Sequence, residues 1–145
     1  MRVYLPLRVG ELAEVSSARR LPARGAYGVT AAMRHEDPAA DEEDLEFDAM
    51  CAALDAAAAL PASGRRVVAA ADLPRVPTDE AHGSGHPAAD VAGATGMAYL
   101  GEVGPVDLAV VVSFHVEETA GAEGEGYDAL LWYDVTEVDA LAAES

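Results

Sequence analysis

Residues 2–7 alternate, with Val3, Leu5 and Leu7 on one side and Arg2 and Tyr4 on the other, the period of two that marks a half-buried strand. Pro6 removes an amide hydrogen, so this strand is expected at a sheet edge or to end early. From 8 to 19 the period lengthens: Val9, Leu12, Ala13 and Ser16 fall on one helical stripe, which Leu21-Pro22 closes. Residues 25–30 predict a short strand running into Thr30, an N-cap for one helical turn over 31–36.

The strongest helical pattern spans 41–60. Phe47, Met50, Cys51, Leu54 and Ala58 recur at the spacing of one helix face. The acidic run Asp41, Glu42, Glu43 and Asp44 meets the exposed amides and positive dipole end of its first turn, which explains the run without a metal. Residues 65–72 read as a buried strand centred on Val67-Val68. Proline, glycine and the loss of periodicity then mark a long, mobile excursion at about 73–96. A strand is expected at 97–103, with Gly104-Pro105 as its turn. A second, at 108–117, sets Val110, Val112, Phe114 and Val116 against Val111, Ser113, His115 and Glu117 on the opposite side. Residues 119–126 form a glycine-rich loop, 129–135 the last strand, and Thr136 caps a short closing helix with Asp139 at the capping-box position.

This order, alternating at first and strand-rich later, favours an α+β fold over a doubly wound parallel sheet. The expected architecture is a mixed or mostly antiparallel sheet of five to six strands with helices packed on one face, the 41–60 helix across it. A ferredoxin-like core with additions is one form of that architecture. At 145 residues the chain matches one domain, 1–145.

Composition adjusts the picture. Hydrophobic residues make up 51% of the chain, but 32 of them are alanine, which leaves few large side chains to build a core. The formal charge is −17, with no lysine. Twelve carboxylates and all nine arginines lie in 1–75, whereas 76–145 hold 14 carboxylates and no arginine, so the halves stand at −3 and −14. A chain this acidic is not built to neutralise nucleic-acid phosphates. One cysteine excludes a disulfide framework or a cysteine-rich zinc module, and no apolar run is long enough to span a bilayer. A cytoplasmic protein that contacts neither nucleic acid nor membrane is expected, with Cys51 acting as a small hydrophobe.

Six blocks form a recognisable set: MRVYLP at 1–6, AYGVT at 26–30, DEEDLEFDAM at 41–50, RRVVAAAD at 65–72, VDLAVVVSFHVEE at 106–118 and LLWYDVTEVDAL at 130–141. Together they resemble a family of small acidic actinobacterial proteins known as a domain of unknown function. The resemblance implies lineage and a cytoplasmic single domain, and it brings no activity, cofactor or catalytic residue.

Candidate chemistry is sparse. His115 and Glu117 point the same way on one strand, about 7 Å apart by strand rise, with Ser113 beside them and Glu118 following. Imidazole and carboxylates so placed would serve an acid–base pair or a divalent ion, if Asp72, Asp107 or Asp134 supplied further ligands. His82 and His86 have the separation seen in zinc sites, but their Gly-Ser-Gly spacer and the lack of a cysteine pair point to adventitious binding rather than a built site. Neither Cys51 nor the Ser84 between glycines sits in a nucleophile context. Trp132 and Tyr133 fall on opposite faces of the last strand, so one belongs to the core and the other is free for an interface. These observations favour a non-enzymatic module, needing no cofactor, that binds a protein partner or itself through an acidic C-terminal half. The alternative is a small metal-dependent, hydrolase-like enzyme centred on His115, Glu117 and Glu118.

Overall fold

The structure, a computed structural model, describes residues 1–74, 97–118 and 130–143. Strand β1 (Arg2–Arg8) leads through a 3-10 turn (Val9–Glu11) into helix α1 (Leu12–Ala18). There follow β2 (Arg20–Leu21), β3 (Arg24–Tyr27), α2 (Ala31–Glu36), α3 (Glu42–Ala57) and β4 (Arg66–Asp72). After the excursion come β5 (Tyr99–Val103), β6 (Val106–Asp107), β7 (Val111–Val116), β8 (Leu131–Asp134) and α4 (Val138–Ala143). Residues 75–96, with His82 and His86, and residues 119–129, with the loop expected at 119–126, lie outside the described residues.

Six strands form one sheet in the order β5-β3-β1-β4-β7-β8, and every neighbouring pair is antiparallel. The α+β class and the six-stranded antiparallel sheet are as expected. β2 and β6 pair separately as a two-residue ribbon. A ferredoxin-like core interleaves two β-α-β units whose helices share a face. Here one such unit exists: β3 and β4 run parallel on either side of β1, and α3 is in the connection between them. Among the described residues there is no second.

The helices also occupy both faces, not one. Val3, Leu5, Leu7, Val67, Val111, Phe114 and Val116 point to the side covered by Leu12 and Val15 of α1 and Val138 and Leu141 of α4. Tyr4, Val68 and Ala70 point to the opposite side, covered by α3. Central strands flanked by neighbours on both edges have two apolar faces, and each must be buried.

Pro6 is placed differently from its expectation as well. β1 pairs with β4 along all seven residues and with β3 on its other side, so it is central. Its ladder to β3 reaches only Tyr4↔Tyr27, and beyond that point the Pro6 carbonyl accepts a 3.0 Å hydrogen bond from the Arg24 guanidinium. The missing amide therefore falls where no strand pairing needs it.

Helix α3 begins where its acidic run predicts, with the Asp41 carboxylate accepting from the Asp44 amide at 3.2 Å. Its buried stripe, however, is Leu45, Ala49, Ala52, Ala53, Leu54 and Ala57, while Phe47 is 38% exposed and Met50 and Cys51 are only partly covered. The alanines face inward because Ala70 and Ala98 are just as small, and their methyl groups let α3 come within 8 Å, Cα to Cα, of β1, β3 and β4. α1 and α4 approach each other at that range.

Candidate functional site

On the α3 side the helix covers β1, β3 and β4, and the polar positions of the sheet fall around it. Arg2 faces Asp72 across the β1–β4 ladder and forms a two-pronged pair, Nε–Oδ1 at 2.7 Å and Nη2–Oδ2 at 3.3 Å. That pairing raises the Arg2 pKa and lowers that of Asp72. The Tyr4 hydroxyl donates to Glu46 of α3 at 2.8 Å; burial first, and that carboxylate second, push the phenol pKa upward. Arg2, Tyr4, Glu42, Glu43 and Glu46 line a shallow open groove of about 450 Å³.

Ser113 and His115 continue the same face on β7, opposite Ala70 and Val68. The Ser113 hydroxyl and His115 Nε2 are 3.0 Å apart, and burial, followed by the Arg2 charge, lowers the imidazole pKa. His115 is therefore neutral at pH 7. The strand expected at 108–117 is shorter, since Leu108–Val110 form a 3-10 turn and β7 runs over Val111–Val116, and a bulge between Ala70 and Ala71 opposes Ala70 to Ser113 and Ala71 to Val111. Val111 consequently joins Phe114 and Val116 on the other face.

Glu117 does not join His115. One residue beyond β7, its carboxylate accepts from the Arg66 amide at 2.5 Å and from Arg66 Nε at 3.1 Å, with Nη2 also at 3.1 Å. Both side chains are 2% exposed, and Asp55 of α3 lies 3.9 Å from Arg66 Nη1. Sequence reasoning missed this pair. The signal for it was an arginine inside an otherwise apolar strand, since a buried guanidinium requires a counter-ion. Glu118 is exposed.

The other carboxylates proposed as helpers are engaged separately. Asp72 holds Arg2, Asp107 caps the Ala109 amide at 2.9 Å, and Asp134 accepts from the Thr136 amide at 3.0 Å and its hydroxyl at 2.6 Å. The two Thr136 bonds lower the Asp134 pKa, so it remains ionised. Among the described residues no group of three His, Cys, Asp or Glu side chains is arranged to hold a metal ion.

The last strand is different. Among the described residues β8 pairs with β7 alone, through Val116↔Leu131, His115↔Trp132, Phe114↔Tyr133 and Ser113↔Asp134. Tyr133 turns to the α1/α4 core and is partly buried there, whereas Trp132, on the α3 side opposite His115, is 60% exposed. Leu131 beside it is 37% exposed. A sheet edge bearing large apolar side chains is a surface that a soluble fold ordinarily blunts.

A model of a family described only as one of unknown function matches residues 1–142, which takes in all six blocks noted in the sequence. No curated protein and no solved structure matches the chain.

Proposed function

The chain belongs to DUF6912, that family of unknown function, and since membership brings no activity with it, we propose from its surface that it is a protein-binding module whose contact strand is β8. The observation that carries this reading is Trp132, 60% exposed on a strand that, among the described residues, has a neighbour on one side only. An exposed indole is among the side chains that most often dominate a protein interface. The surrounding charge agrees in sign, since Glu118, Asp134 and Glu137 flank the strand within the half of the chain that carries −14. Glu117, which neutralises Arg66, lends no support to the metal-dependent enzyme reading around His115, Glu117 and Glu118. Among the described residues no helix is long and apolar enough to cross a membrane.

The test compares the wild type with Trp132→Ser and Leu131→Ser in affinity capture from a native lysate. Each captured protein is then purified and titrated directly. Trp132 is the sole tryptophan, so its emission reports its own surroundings. A partner that blue-shifts this emission, and that both variants lose while their unfolding midpoints stay put, is the expected result. Equal recovery by wild type and variants overturns the reading.

A further inference from the structure

Among the described residues two edges bound the six-stranded sheet, and they are finished differently. At β5 the ladder to β3 carries an irregularity between Ala26 and Tyr27, Gly101 takes a φ of 126°, and Tyr99 packs edge-on against Tyr27 with ring centres 5.3 Å apart. Bulging and twisting of this kind spoil an edge as a template for further pairing. β8 shows no such break: its four register pairs with β7 run in an unbroken series. Alternate residues of an edge strand turn their N–H and C=O away from the described neighbour, where an incoming strand can meet them, except at Asp134, whose amide already donates to the Glu137 carboxylate at 2.8 Å.

Side chains decide what kind of strand fits. Trp132 and Asp134 project to the α3 side, and Leu131 and Tyr133 to the other. An added strand must alternate in step, presenting one class of residue to the indole and carboxylate and another to Leu131. The indole face and a carboxylate held ionised by Thr136 both attract a cation. Glu118 and Glu137 add the same sign nearby. Arg2, whose charge reaches His115, is held by Asp72, and Arg19 is held by Asp139 of α4. A second copy of this chain is disfavoured as occupant, because two bodies of −17 repel.

We propose that β8 takes an extended segment of a partner protein as a seventh strand, with Lys or Arg at alternate positions over Trp132 and Asp134 and apolar residues over Leu131. The inference rests on the reading of β8 as the contact strand and goes beyond it in naming the occupant and its mode of binding.

The experiment uses the full chain and three synthetic probes: a short peptide alternating Val and Lys, the same peptide with Glu for Lys, and the Val–Lys peptide N-methylated along its backbone. The Val–Lys peptide is expected to blue-shift Trp132 emission, to slow amide exchange at 131–134 by about tenfold or more, and to weaken as salt is raised. The Glu peptide should be silent, and N-methylation should weaken binding by about tenfold or more by removing the main-chain donors. Silence of the Val–Lys peptide overturns the proposal, as does equal binding by the Glu or the N-methylated form. Concentration-dependent dimerisation of the chain that protects 131–134 overturns it in favour of a second copy. If the peptides fail while Trp132→Ser still loses its captured partner, the contact strand stands and the seventh strand falls.

Discussion

The two faces of the sheet are buried by opposite means. Toward α1 and α4 the sheet presents Val, Leu and Phe, which pack against large aliphatic side chains of the two helices. Toward α3 it presents Tyr4, Val68 and Ala70 to a helix whose inward stripe is mostly alanine. One face gains stability from the area each side chain removes from water, the other from close approach of backbone to backbone. The difference teaches that alanine, discounted when the core was counted from composition, is half of the core's design. It also means that substitutions of opposite kinds should damage the two faces.

The sharpest break should come from the large-residue face. Phe114 is fully buried, and Phe114→Ala is expected to lose about 3–5 kcal/mol in denaturant unfolding, through lost burial and a cavity that rigid neighbours cannot close. A loss below about 1 kcal/mol would mean that this face is not close-packed. Glu117→Gln should cost a similar amount, about 3–5 kcal/mol, because it removes the nearer carboxylate from the buried Arg66 guanidinium and leaves it the longer contact to Asp55. Replacing both partners at once, Arg66→Met with Glu117→Leu, should recover most of that loss, and failure to recover would show that the pair stabilises more than itself.

On the small-residue face enlargement is the damaging change. Ala53→Leu inserts side chain between α3 and the sheet and is expected to destabilise by about 1–3 kcal/mol, where a leucine added to a loosely packed face would stabilise. His115 sharpens the same face through pH. Its folded-state pKa lies below the ordinary 6.5, so the unfolded chain binds the extra proton first. Stability is then complete above pH 6.5 and falls as the pH drops toward the folded value, with a slope of up to about 1.4 kcal/mol per pH unit from this one group. His115→Gln should flatten that part of the profile, and an unchanged slope would assign it to other groups. The smallest effect is expected from Arg2→Met, below about 1 kcal/mol, because the Arg2–Asp72 pair is largely exposed and screened. A larger loss would show that the groove beside α3 contributes to the fold.

Much of the fold was legible because it is written locally. Thr30 caps α2 by accepting from the Met33 amide, Asp41 caps α3, and Val67-Val68 lies in a buried strand, each signalled by residues within a turn or a period of its own position. What was not legible depends on contacts distant in sequence. The roll of α3 is set by Ala70 and Ala98, and periodicity scored by side-chain size picked Phe47, Met50 and Cys51 instead. Pro6 was read as an edge signal because the Arg24 side chain that takes its carbonyl is 18 residues away. Of the candidate site, the shared face of Ser113 and His115 was visible from alternation, but Glu117's commitment to an arginine 51 residues earlier was not. Trp132 and Tyr133 were known to part company across the strand, while which of them would face water depended on where α1 and α4 packed.

The Arg66–Glu117 pair has a consequence apart from its energy. β4 carries three alanines in a row at 69–71, so their size does little to fix where β7 lies along it, and a slide by two residues would keep every side chain on its own face. Such a slip would carry Glu117 away from Arg66 and strand two charges in the interior. The pair thus acts as a key that admits one alignment of two otherwise ambiguous strands, and the positions of Ser113, His115 and all of β8 follow from that alignment.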